Sequence, residues 1–150
     1  MRVIIQRVST AAVTIDAERY RAEINNGMVI LLGIKGEDKE EDAIYLADKC
    51  TNLRIFDDEK GKMNKSLRDI NGEILVISQF TIYGEVSRGN RPSFSEAAKS
   101  EAAIPLYKKF ISRLRFTLGD EKVQAGKFGA MMRVDIRNEG PVTITIDSER

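Results

Sequence analysis

Asn26-Gly27-Met28-Val29-Ile30-Leu31-Leu32-Gly33-Ile34 decides the fold class. From Met28 to Ile34 the chain is apolar without alternation, the pattern of a strand buried on both faces. Asn-Gly in front of it, between strand-like runs, predicts a hairpin turn. Upstream, Arg2–Ser9 and Ala12–Asp16 are rich in β-branched residues and predict two strands. Downstream, Asp38-Lys39-Glu40-Glu41 starts a helix with its acids near the positive end of the dipole. Ala43, Leu46, Ala47, Cys50 and Leu53 follow at helical spacing, so Cys50 falls on the buried stripe.

The rest of the chain repeats these signals. Leu53–Phe56 predicts a short strand, Asp57–Gly61 a charged turn, and Lys62–Leu67 a loop or edge. Asn71-Gly72 predicts a second turn, leading into a strand over Glu73–Tyr83. Ser87–Ser93 is a polar, glycine-containing loop. Ala103, Leu106, Tyr107, Phe110, Ile111 and Leu114 mark a long helix over Ser100–Leu118, with Pro105 either in a kinked first turn or at its first position. Strands are predicted near Val123, over Gly129–Arg137, and over Pro141–Asp147, where Val142, Ile144 and Ile146 alternate with polar residues. Grouped strands with two helices predict an α+β fold in a single domain spanning residues 1–150. Its sheet should be mostly antiparallel or mixed and curled into a barrel-like core.

Composition narrows the chemistry. A chain of 150 residues is long enough to bury roughly two-thirds of its unfolded surface. With 24 basic against 23 acidic residues, bulk charge predicts no nucleic-acid partner, and any such site must come from local clustering. Met28–Ile34 and Ile74–Ile77 are far shorter than the ~20 apolar residues of a membrane span. The opening Met1–Arg7 lacks a signal-peptide core, and one cysteine allows no internal disulfide. Both point to the cytoplasm. Histidine is absent, which removes Ser-His-Asp triads, Cys-His pairs and histidine-ligated zinc. Asp57–Gly61 is the nearest thing to a carboxylate metal site, but it lacks the spacing of a calcium loop. No cofactor and no metal are expected.

Hydroxyls remain. Ser78-Gln79-Phe80-Thr81 ends an apolar run, and ester hydrolysis needs an attacking oxygen and a donor pair for the oxyanion. In an extended strand Ser78 and Thr81 point to opposite faces, so they can flank one pocket only where the strand bends. Local hydrogen bonding in a strand accounts for them equally. Thr81 has no lysine or carboxylate paired with it in sequence, which favours assistance from the substrate itself. Gly140-Pro141 stands where a strand should begin, and a trans proline opening an edge strand accounts for it. A rigid backbone step there could also exclude side chains on one side of a substrate Cα. Arg88, Arg91, Lys99, Lys108, Lys109, Arg113 and Arg115 cluster in sequence. They read as a solvated face or as contacts to RNA phosphate.

Ser78–Thr81 and Asn138-Glu139-Gly140-Pro141-Val142-Thr143, in this order and at this spacing, resemble the two signatures of the D-aminoacyl-tRNA deacylases. Met1–Val8, Asn52–Phe56, Gly61–Asn64 and Arg91-Pro92-Ser93-Phe94 resemble that family as well, so the likeness covers nearly the whole chain. It implies an enzyme that strips D-amino acids, and misplaced glycine, from tRNA. It implies a homodimer with its active sites at the subunit interface, and a cis Gly140-Pro141 inserted into the partner's pocket. It implies a site of Ser78, Gln79, Phe80 and Thr81 with Phe128, Gly129 and Met132 around the terminal adenosine and aminoacyl group. Within the family, Thr81 is assigned either as nucleophile or as a residue that only positions substrate, with catalysis left to the tRNA 2′-OH and backbone groups. Arg88, Arg91, Lys99, Lys108 and Lys109 are the candidate tRNA contacts. Ile82, Asn90 and Met131 depart from the family's usual leucine, arginine and polar residue, outside both signatures.

Overall fold

The computed structural model describes residues 1–149. β1 (Arg2–Ile15) is the hub of a six-stranded sheet. One edge of β1 pairs antiparallel with β3 (Gly27–Gly33) through its first half and with β2 (Tyr20–Ile24) through its second. The other edge pairs antiparallel with β8 (Arg133–Asp147) along most of its length. β3 continues into parallel pairing with β6 (Glu73–Ser78), and β6 into parallel pairing with β7 (Val123–Ala125). The sheet is therefore mixed. It curls until β2 lies against β6 and β7, where the Tyr20 hydroxyl donates to the Ala125 carbonyl at 2.7 Å and nearly closes a barrel. β4 (Phe56–Asp57) and β5 (Met63–Lys65) form a separate ribbon.

α1 (Glu40–Asn52) and α2 (Ser100–Leu118) pack on one another over one face of the sheet. Arg113 grips Asp48 through two bonds of 2.7 and 2.9 Å across the helix pair. Alternation along β3 sends Met28, Ile30 and Leu32 into the core shared with the helices, and Val29 into the core inside the curled sheet. β6 does the same, with Ile74 and Val76 on one side and Leu75 and Ile77 on the other. This two-faced burial is what the unbroken apolar run predicts. At about 1.5–3 kcal/mol for each such side chain fully buried, the two strands anchor the fold.

Four details differ from the sequence reading. β1 is one strand rather than two, because Ala11 and Ala12 stay paired with both β2 and β8. The hairpin turn is not at Asn26-Gly27. The pairing Val8↔Gly27 keeps the register of Ala11↔Ile24, so β2 and β3 are one arm returning along β1 from a turn at Asp16–Arg19. Gly27 serves a close approach instead: a Cβ there would fall 1.9 Å from the Glu73 carbonyl oxygen of β6. The predicted strand over Glu73–Tyr83 stops at Ser78, and Phe80–Tyr83 is a helical turn. The two predicted C-terminal strands are one, which begins at Arg133 rather than Gly129 because Gly129 takes φ +76° outside the sheet. α2 spans its predicted limits with Pro105 inside, forgoing one helical bond to Glu101.

Candidate active site

β6 carries Ser78 to the end of its pairing with Leu32, and the Gln79 N–H donates to the Leu32 carbonyl at 2.8 Å. The chain then leaves the sheet in the turn at Phe80–Tyr83. Gly33 makes room for it, since a Cβ there would meet Ile82 at 2.6 Å. The chain bends here, yet the two hydroxyls do not flank one pocket: Ser78 lines the cleft before the turn and Thr81 is not among its lining residues. The Gln79 side-chain amide donates to the Thr81 hydroxyl, and Thr81 is exposed. The first N–H groups of a helical turn have no acceptor within it, so those of Phe80 and Thr81 face no intra-turn demand.

Ser78, Gln79 and Phe80 form one wall of a cleft of about 480 Å³. Lys99, Ser100 and Ala103 at the start of α2 form a second wall, and Phe128, Gly129, Met131 and Met132 a third. The third wall is fixed from below. The Gly126 N–H donates to the Val76 carbonyl at 2.9 Å, and the Tyr107 hydroxyl donates to the Gly126 carbonyl at 3.0 Å. Burial raises the Tyr107 phenol above its ordinary range, so it stays a donor. The Tyr107 ring meets Phe128 edge-on at 5.7 Å. Met132 lies so close over Gly126 that a Cβ there would sit 2.4 Å from its sulfur.

Gly140 and Pro141 do not line this cleft in the same chain. They stand on a bulge of β8. Between the pairs Gln6↔Thr143 and Val8↔Asn138, Arg7 alone on β1 faces Glu139, Gly140, Pro141 and Val142 on β8. The Gly140–Pro141 peptide is cis, Gly140 takes φ +124°, and both residues are exposed. Arg7 holds the bulge. Its Nε donates to the Glu139 carbonyl at 3.0 Å and its Nη1 to the Ile55 carbonyl at 2.7 Å, with Asp57 at 3.4 Å. Its guanidinium is buried, and a Cβ on Gly140 would sit 3.0 Å from its Nη2. Sequence reasoning passed over Arg7. The available signal is that Val3, Ile5 and Arg7 share one face of a strand whose other members on that face are buried.

The basic residues scatter. Lys99 reaches the cleft, whereas Lys109 pairs with Glu40 at 3.0 Å on the helix pair. Lys108 borders a different, shallower groove of about 600 Å³ with Arg115 and Phe116, away from both signatures. Arg88 and Arg91 are exposed in the loop between the Phe80–Tyr83 turn and α2. The Asp57–Gly61 segment is a turn closed on itself: Asp58 accepts from Lys60 N, Lys62 N and Asn64 Nδ2, the Asn64 bond foremost in holding its carboxyl below the usual range. Among the described residues no cluster of three or more His, Cys, Asp or Glu could hold a metal ion. Cys50 is buried, and burial pushes its thiol up to about 12.

Residues 4–147 match the family described as D-Tyr-tRNA(Tyr) deacylase. The chain belongs to that family. It is 54% identical over 149 residues to a D-aminoacyl-tRNA deacylase of Flavobacterium psychrophilum, covering 99% of this chain and 98% of that one. It is 49% identical over 151 residues to a D-aminoacyl-tRNA deacylase of Thermosipho africanus, covering 100% and 99%. Among solved structures, the c-Myc DNA unwinding element binding protein superposes over the full length of both chains with TM-score 0.92 at 41% identity. A probable eukaryotic D-amino acid tRNA deacylase superposes with TM-score 0.85 over 97% and 98% of the two chains; at 18% identity it speaks for the fold alone.

Proposed function

We propose that this protein hydrolyses the ester of D-aminoacyl-tRNA, and of mischarged glycyl-tRNA, to free tRNA and amino acid, and spares the L-form. Family membership supports the reaction. The observation that carries the selectivity is the Arg7-anchored bulge presenting Gly140 and Pro141 away from the sheet. Their exposure, and their absence from the lining of their own chain's cleft, support a homodimer in which the bulge of one protomer enters the cleft of the other. Placed against the substrate Cα, this backbone leaves room for hydrogen and excludes a side chain. Selection against the L-form is then steric.

In the chemical step, water attacks the ester carbonyl and the ribose 3′-oxygen leaves with a proton. The Phe80 and Thr81 N–H groups, which open the helical turn without an acceptor inside it, would donate to the oxyanion. Thr81 is engaged by a neutral amide, which cannot take its proton, so its hydroxyl is not activated as a nucleophile. The vicinal 2′-OH of the terminal ribose fills the gap by orienting water beside the ester, and positioning of this kind can contribute roughly 7–11 kcal/mol. The enzyme would act in the cytoplasm, where tRNA is charged; among the described residues no helix is long and apolar enough to cross a membrane.

A second reading is a non-catalytic nucleic-acid-binding protein, favoured by the likeness to the 41% identical c-Myc DNA unwinding element binding protein. Release of free D-tyrosine from D-Tyr-tRNA by the purified protein separates the two. Turnover supports the hydrolase, and binding without release supports the second reading.

A further inference from the structure

The loop that bears Arg88 and Arg91 is held to the cleft by a single aromatic side chain. Its base is pinned by paired bonds between Glu85 and Ser93, N–H to carbonyl in both directions at 2.8 and 2.9 Å. The Ser87 N–H donates to the Glu85 carboxylate at 2.6 Å, which tightens the entry. Directly after the base comes Phe94. Its ring meets the Phe80 ring edge-on, with centroids 5.0 Å apart and planes at 77°. It also lies over Gly84, where an added Cβ would come within 3.1 Å of it. Phe80 is a wall of the cleft and is 55% exposed, so Phe94 is its principal aromatic neighbour. Past Phe94 the chain is tied down again: the Ala97 N–H donates to the Phe94 carbonyl at 3.1 Å and the Ala98 N–H to the Ile34 carbonyl at 2.8 Å. Within this closed loop Arg88 and Arg91 have no ion-pair partner among the described residues, although most other arginines of the chain do hold a carboxylate or a carbonyl.

We propose that Phe94 is a positioning residue: anchored on the Phe80 ring, it fixes the loop so that Arg88 and Arg91 meet backbone phosphates of the bound RNA near its acylated end. The inference rests on the reading of the substrate as an aminoacyl-tRNA. Two guanidiniums without ion-pair partners, on a loop closed at its base beside the cleft, suit an anionic polymer leading into it, since phosphate contacts fix register without reading sequence. Phe94 does not touch the ester, so its effect belongs to substrate binding.

The test compares D-Tyr-tRNA with 3′-O-D-tyrosyl-adenosine, which carries the ester and ribose but no phosphate. For Phe94→Ala, KM for D-Tyr-tRNA should rise about tenfold with kcat nearly unchanged, and hydrolysis of the adenosine ester should be unaffected. The slope of log(kcat/KM) against log[salt] should flatten by about 0.7–1.8, the share of one or two phosphates. A merely structural role would not move that slope. Phe94→Tyr, which keeps the ring, should restore both values. The double variant Arg88→Gln/Arg91→Gln should reproduce the flattening and add little to it when combined with Phe94→Ala. An unchanged salt slope, or equal slowing of both substrates, would overturn the inference while leaving the hydrolase reading intact. A wild-type protein that cleaves neither substrate would sink the hydrolase reading and this inference with it.

Discussion

Replacing Arg7 by methionine tests whether the β8 bulge must be held in place. Methionine keeps the length and apolar stem of the side chain and removes every donor. Three acceptors lose a partner: the Ile55 and Glu139 carbonyls and the Asp57 carboxylate, which is exposed and turns to water. Glu139 is exposed and its carbonyl can turn to water, whereas Ile55 is buried. The stability cost therefore comes mainly from one orphaned carbonyl, about 1–3 kcal/mol. Relief of guanidinium desolvation pulls it to the lower part of that range. At about 2–4 °C per kcal/mol for a chain of this size, Tm should fall by a few degrees and the protein should stay folded at 25 °C. Activity should fall further than stability explains. Without the bond to Glu139, four residues of β8 face one residue of β1 with no anchor, and kcat/KM on D-Tyr-tRNA should drop at least about tenfold, roughly 1.4 kcal/mol. Ile30→Val serves as the control, since a buried Ile→Val change costs a similar ~0.5–1.5 kcal/mol and leaves the Arg7 bonds to Ile55 and Glu139 in place. Denaturant melts and deacylation kinetics on the two variants decide the matter. If Arg7→Met keeps the activity of Ile30→Val, the bulge needs no anchor and the reasoning fails.

Thr81→Ala should cost less than about tenfold in kcat, while a 2′-deoxy terminal adenosine should abolish turnover by the unaltered protein; a loss of several orders of magnitude with Thr81→Ala, or a trappable acyl-enzyme, would make Thr81 the nucleophile. Activity should survive exhaustive chelation, because the chain has no histidine and its single thiol is buried. Loss with EDTA and recovery with one divalent ion, under conditions where the tRNA melt is unchanged, would reveal a carboxylate site. Cys50, pushed up to about 12, should resist iodoacetamide at pH 8 in the native protein and react only in denaturant, since the protonated thiol is a poor nucleophile; stoichiometric labelling of the native chain would contradict its burial.

Much of the fold is legible wherever periodicity and burial agree. Met28–Ile34 reads as a strand covered on both sides because no polar residue interrupts it, and α2 reads to its limits because its stripe runs unbroken between polar flanks. Two of the misreadings share a cause: glycine and asparagine mark both turns and close approaches. Gly27 lies against β6, while the true turn at Asp16–Arg19 uses Arg19 at φ +49° and carries no glycine. Asn138–Pro141 reads as a break between strands, yet the strand continues because β1 pairs on both sides of the extra residues. Of the two signatures, Ser78, Gln79 and Phe80 line the cleft, whereas Thr81, Gly140 and Pro141 do not. Arg7 and Phe94 act through partners more than a hundred and about a dozen positions away respectively, a relation that local pattern does not encode.

The most direct measurement is the ratio of kcat/KM for D-Tyr-tRNA to that for L-Tyr-tRNA, taken with purified protein under identical salt. Exclusion of a side chain by the Gly140–Pro141 backbone predicts rapid release of D-tyrosine and no hydrolysis of the L-ester above the uncatalysed rate. Cleavage of both enantiomers at similar rates would contradict the account.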